Sequence, residues 1–316
     1  MLLVLQALAA GSPAAAEGFP LPGKPVRILV PYPAGGHSDS QARIIASKLA
    51  ETLAVPVVVE NRPGASTLIA TQETIRAAPD GHTLICTNQV VVMLPHLYRT
   101  PPYDLFRDLT PVIQASVSGM VLIAHESLQV RDVRQLIAYA KANPRRLSYG
   151  SAGAGSLPHL SGILLARLAG IDMEHIPYKG SADLMRDLVS GRVQLSFDMA
   201  ITAIGGAGTG KVRLLAAATE RRLSALPELP TLRESGVDIA ADTWFGFFGP
   251  GGMPAAVVES LHTHLLRALR DPATIKLLAA GGSDVTGLPP AEFAQLVRNG
   301  HRRWGPEIRA LGVSID

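Results

Sequence analysis

Twice in this chain a short apolar run ends in a turn of glycine and other small residues, and each turn opens directly onto a helical pattern. In the first unit Val26–Val30 leads into Pro31-Tyr32-Pro33-Ala34-Gly35-Gly36-His37-Ser38-Asp39, followed by Ala42, Ile45, Leu49 and Leu53 at helical spacing. In the second, residues 147–149 lead into Gly150-Ser151-Ala152-Gly153-Ala154-Gly155-Ser156, followed by Leu160, Ile163, Leu164 and Leu168. A strand that is apolar on both faces must be covered on both faces, so each unit calls for a sheet layered with helices.

Neighbouring segments continue the rhythm. Around the first unit, strands are expected at 55–60 and 82–87 with a helix over 67–77. Ser38 with Gln41 three residues later has the form of a capping box. Around the second, strands are expected at 121–124, 173–176, 193–197 and Val212–Ala217, with a helix through Val133, Leu136, Ile137 and Ala140. The C-terminal part holds one strand at 243–249 and helical patterns near 254–269, 272–280 and 290–311. The expected fold is α/β, with two lobes that each carry a mostly parallel sheet flanked by helices and a ligand cleft between them. Lobe one spans 24–118 plus 243–316 and lobe two spans 119–242. Two chain crossings between them permit a hinge. A length of 316 residues suits two units of roughly 150 residues.

Several function classes drop out. The net charge is only +3, Arg pairs such as Arg145-Arg146 and Arg302-Arg303 stand isolated, and aromatic residues make up 5%. A nucleic-acid surface needs a continuous basic stripe, commonly with stacking rings, so none is expected. The single cysteine, Cys86, rules out an internal disulfide and reads as a buried structural thiol. The segment from Gly205 to Val212 resembles a phosphate loop, but Val212 replaces the hydroxyl residue and the following run reads as a strand. His125-Glu126 lacks the second histidine of a zinc-protease motif, and His262 and His264 are two apart on a helix and face different ways. No Gly-x-Ser-x-Gly element or paired-carboxylate cluster stands out. Neither a cofactor, nor a metal, nor catalysis is expected. At the N-terminus, MLLVLQALAA runs into Ala14-Ala15-Ala16, the form of an export signal cleaved near Ala16, although no basic residue precedes Lys24.

What remains is the pair of loops. Glycine lets backbone N–H groups approach an anion, and a helix N-terminus favours negative charge there. One such loop is a weak signal, whereas one in each lobe can close on the same group. The first loop offers Tyr32, Gly35, Gly36, His37, Ser38 and Asp39. The second offers Ser151, Ala152, Gly153 and Ser156, with Ser156 as helix N-cap. Thr87 and Asn88 at a strand end, Tyr178, and Asp198 are further candidates, each with a plain alternative as turn, core or capping residue. For His37 the plainer expectation is a solvent-facing imidazole at the helix start.

At these residues the sequence resembles the solute receptors of the tripartite tricarboxylate transporter family, the Bug or TctC type. The resemblance runs from about Lys24 to Gly312 through KPVRILVPYPAGGHSDSQAR, VVVENRPGA, APDGHTL, LSYGSAGAGS, HIPYKGSA, GRVQLSFD, GKVRLLA and LPELPTLRESG. It implies a monomeric periplasmic receptor that closes on a small carboxylate ligand and delivers it to a membrane permease of a small and a large subunit. It also implies that the ligand carboxylate lies between the loops 32–39 and 151–156, near Tyr178 and Asp198. His37 and Met199 depart from the residues usual at those positions. An extracytoplasmic sensor and an enzyme acting on small carboxylates are the alternatives to a transport receptor.

Overall fold

The computed structural model describes residues 18–223 and 225–315. The segment expected to be an export signal lies outside the described residues. The first sheet is built from β1 (Val26–Val30), β2 (Val57–Asn61), β3 (Thr83–Asn88) and β4 (Leu109–Ser118). The chain then passes through Gly119 into the second sheet, which takes β5 (Met120–His125), β6 (Leu147–Ser151), β7 (Met173–Pro177), β8 (Leu195–Met199) and β9 (Val212–Ala217). It returns to the first sheet with β10 (Thr243–Pro250) and β11 (Ser283–Leu288). Strand order is β11-β4-β10-β3-β1-β2 in one sheet and β7-β6-β8-β5-β9 in the other.

Among the described residues four of the six strands of the first sheet and four of the five of the second run the same way, so each sheet is mostly parallel with antiparallel members. β1 runs parallel to β2 and β3, and β6 runs parallel to β7 and β8. β10 is antiparallel to β3 and β4, β11 to β4, and β5 to β8 and β9. The reason is the crossing: β5 and β10 are the first strands after the chain passes between lobes, so they enter their sheets from the opposite end to the β-α-β strands, whereas β4 keeps the direction of β1–β3. Gly119 sits where this crossing is tightest, since a Cβ there would lie 2.2 Å from Leu223 Cδ2.

The helices of lobe one are α1 (His37–Leu53), α2 (Leu68–Ile75), α3 (Val90–Leu97) and the single turn α4 (Leu105–Asp108). Lobe two adds α5 (Val133–Ala142), α6 (Leu157–Ala169), α7 (Ser181–Val189) and α8 (Ala200–Ala207). The C-terminal part contributes α9 (Ala255–Leu269), α10 (Pro272–Ala280) and α11 (Pro290–Leu311). Strand β4 hid from the sequence because Pro111 interrupts it; the structure places Pro111 at a register shift opposite Phe248, where a missing N–H is tolerated. The amphipathic spacing of Leu184 and Leu188, both buried, was a readable signal for α7 that went unused. The capping box does not form. Gly36 is the N-cap of α1, without a side-chain cap, and the Gln41 amide turns inward instead.

The core of lobe one is heavily aromatic along β10. Phe245, Phe247 and Phe248 are buried, and Phe248 packs at 4.9 Å between ring centroids on Phe293 of α11, which also meets Trp244 edge-on. These contacts clamp the returning strand against the sheet. Phe248→Ala should lower unfolding free energy by about 3–5 kcal/mol. Chemical denaturation checks this, and a loss below about 1 kcal/mol would mean the clamp is not what holds β10.

Candidate functional site

A cavity of about 290 Å³ lies between the sheets and collects residues from both lobes. The lobes meet on either side of it. On one flank the Ser66 hydroxyl donates to the Ala154 carbonyl at 2.6 Å, and Gly180 lies so close to Pro33 that a Cβ would come within 3.2 Å of its ring. On the other flank Gly282 packs on Ala200 and Ile201.

Helix starts dominate the wall. Gly36, His37 and Ser38 come from the start of α1, Ser156, Leu157 and Pro158 from α6, and Ser181, Ala182 and Asp183 from α7. Among the described residues, no protein acceptor takes the N–H of Gly36, His37, Ser38, Ala152, Leu157, Ser181 or Ala182. Unclaimed amides at the positive ends of helices make this wall a receptor for negative charge. Local sequence arranges it. Gly35 adopts a left-handed φ of +82°, and its N–H is tied back to Asp39 Oδ2 at 2.9 Å, which exposes the next amides. Gly155, at φ +76°, donates to His159 Nδ1, while Ser156 accepts from His159 N and donates to the Gly153 carbonyl.

Tyr32, Gly36, His37, Ser38, Asn88, Ala152, Ser156 and Asp198 line the cavity. Tyr32 and Asn88 hold each other through paired contacts at 3.1 and 3.3 Å between the hydroxyl and the amide; burial pushes the Tyr32 pKa up to about 12. The other candidates stand elsewhere. Burial alone would raise the pKa of Asp39, but bonds from Arg43, Gly35 and Asn61 hold it below the usual range; it shapes the loop from behind. Gly35 borders a smaller cavity on the far side of α1. Thr87 keeps its hydroxyl within the sheet, buried and unpartnered. Ser151 bonds within its own loop and to His175. Gly153 and Tyr178 border an adjoining groove, and the Tyr178 hydroxyl donates to Asp187. Sequence reading missed Ser181, Arg186 and Phe245, which also line the cavity, as does Met199, noted there only as a departure from the usual residue.

His37 faces inward, contrary to the solvent-facing expectation. It is buried, its ring packs edge-on at 5.0 Å from that of Phe245, and its Nε2 lies 2.6 Å from Gln41 Nε2 and 3.0 Å from Ser118 Oγ. Burial pulls its pKa down to about 4, so the ring is neutral. Asp198 is the opposing charge. One oxygen accepts from Ser181 Oγ, Thr202 Oγ1 and Met199 N, while Oδ2 is buried without a partner. Burial outweighs those bonds and raises the pKa to about 6. Among the described residues no three His, Cys, Asp or Glu side chains gather where a metal could sit.

With this geometry in place, comparison with known proteins is decisive on ancestry. The profile described as tripartite tricarboxylate transporter family receptor matches residues 41–313. The chain belongs to this family. Similar solved structures include the periplasmic binding protein BugD, at 32% identity and a TM-score of 0.88 over 93% of this chain and 99% of that one. The Rhodopseudomonas palustris protein Rpa4515, solved with adipate, shares 34% identity over 93% of this chain and 99% of its own, with a TM-score of 0.88. MatC of the same organism, solved with malate, shares 30% over 91% of this chain and all of its own, with a TM-score of 0.86. As a family of solute-binding receptors it captures ligands and does not transform them.

Two predictions follow from the receptor's wall. Gly36 has an ordinary φ of −78° and room for a Cβ, so Gly36→Val should fold, yet its methyls would cover the amides. Ligand-induced stabilisation in a thermal melt should vanish in that variant; an unchanged shift would remove the first loop from the site. The second concerns Asp198, whose folded pKa near 6 lies above its unfolded value. Such a group favours the fold below the unfolded pKa and loses that contribution as pH rises through about 6. Asp198→Asn should therefore gain stability relative to wild type, on the order of 2–3 kcal/mol at neutral pH and little near pH 4. A pH-independent difference would contradict the raised pKa.

Proposed function

We propose that this chain is a periplasmic receptor that captures a small carboxylate-bearing solute in the cleft between its lobes and presents it to a two-subunit membrane permease. The observation that carries this reading is the convergence of unclaimed helix-start amides from both lobes on one cavity. The family's description supports the transport role, and relatives solved with adipate and malate support the ligand class. Among the described residues no helix is long and apolar enough to cross a membrane, which is in keeping with a separate membrane partner.

Binding would proceed by desolvation of the carboxylate against donors already in place. Hydrogen bonds to a charged group contribute about 1.5–3 kcal/mol each, so four to six of them support roughly micromolar affinity after ordering losses. The walls between the polar ends are apolar, with Val90, Leu157, Pro158, Met199 and Phe245, and suit a hydrocarbon body. Asp198 Oδ2, buried and unpartnered, favours a solute that also carries a hydroxyl or ammonium donor.

A thermal-shift screen over mono-, di- and tricarboxylates, amino acids and aromatic acids tests the reading. A ligand at a hundredfold excess over its Kd should stabilise the protein by about 2.7 kcal/mol. Stabilisation by a neutral sugar and by no carboxylate would overturn it.

A further inference from the structure

The imidazole of His37 is held in a way that a mere packing residue does not require. It is the first residue of α1, directly after Gly36, so its ring stands beside the unclaimed amides of the first loop. One edge of the ring is enclosed. Nε2 lies 2.6 Å from Gln41 Nε2, 3.0 Å from Ser118 Oγ and 3.3 Å from Ser283 Oγ. Those serines come from β4 and β11, at the point where the chain crosses between lobes, and their hydroxyls pair at 2.7 Å.

Hydrogen-bond accounting around this edge assigns the proton. Gln41 Oε1 accepts from the Ser116 hydroxyl at 2.6 Å. Its NH2 group then points at His37 Nε2 and, at 3.0 Å, at Ser283 Oγ. An amide nitrogen only donates, so with Gln41 in this orientation Nε2 accepts and carries no proton. A neutral imidazole has one N–H, which places it on Nδ1. Among the described residues Nδ1 has no protein partner, yet it is not one of the sealed, unsatisfied polar atoms. It therefore keeps an opening, and His37 lines the ligand cavity. The edge-on contact with Phe245, another cavity residue, fixes the plane of the ring.

We propose that His37 is a ligand-determining residue of this receptor: its Nδ1–H donates to the carboxylate held at the start of α1, and Gln41, Ser118 and Ser283 keep the proton on that nitrogen. The inference rests on the carboxylate reading of the cavity and adds a side-chain donor to the backbone ones. The donor is uncharged, so it strengthens recognition of an oxygen anion without requiring a second charge to neutralise it. It also links the cleft to the crossing strand β4 and its neighbour β11, because the same ring touches ligand on one edge and those strands on the other.

Side-chain geometry supplies the test. Asn places its amide where His places Nδ1, whereas Gln places its amide where His places Nε2. With a carboxylate found by screening wild type against succinate, malate, adipate, citrate, glutamate and benzoate, calorimetry should show His37→Asn within about threefold of wild-type affinity. His37→Gln and His37→Phe should each lose about tenfold or more. A purely structural role predicts the reverse order, because Gln restores the contacts to Gln41 and the serines. Long-range proton–nitrogen correlation spectra of ligand-free wild type provide a readout that needs no ligand, with the proton expected on Nδ1. A proton on Nε2, or Gln binding as well as Asn, overturns the role of His37 while leaving the receptor reading in place. Failure of wild type to bind any of the six acids removes the carboxylate reading itself, and this inference with it.

Discussion

The whole arrangement depends on backbone amides that the protein leaves without acceptors. Every helix begins with N–H groups that have no partner within the helix, and burying them unpaired is costly. Here the starts of α1, α6 and α7 are turned toward one cavity, where a ligand or water can satisfy them. A carboxylate meets that demand with several lone pairs and with the charge that helix ends favour. The site thus arises from how strands hand over to helices, and the side chains around it adjust which acid fits.

Holding those helix starts in register is the work of the two sheets and the crossings between them. β4 passes into β5 through Gly119, where a Cβ would press on the Leu223 and Thr219 side chains, and β10 returns to pair with both β3 and β4. The aromatic packing of Trp244, Phe248 and Phe293 makes the returning strand rigid. Just beyond it lie Ser116, Ser118 and Ser283, buried hydroxyls that a core would not carry unless each had a partner. Their partners are Gln41 and His37 of α1, so the polar floor of the cleft and the first anion loop form one connected network.

Much of this was legible in the sequence because local rules sufficed. Apolar runs such as Val26–Val30 marked the strands, and glycines at 35 and 155 marked the turns that need left-handed backbone. Long-range pairing was not legible. Nothing in Gln41 announces that its amide crosses to β4 and β11, so it read as half of a capping box, and His37 read as a surface imidazole. Asp39 looked like a ligand contact because of its place in the loop, but its carboxylate is spent on Gly35, Arg43 and Asn61. Strand β4, broken in pattern by Pro111, and β11, with Gly287 at φ +66°, owe their existence to pairing with neighbours far away in sequence.

The direct measurement is a crystal structure of the protein with an acid that stabilises it. An oxygen of the bound carboxyl group should lie within about 3 Å of amide nitrogens from the start of α1 in one lobe and from the 152–157 segment in the other. An acid seated in the adjoining groove by Tyr178, or bound with its charged group turned away from those amides, would contradict the account.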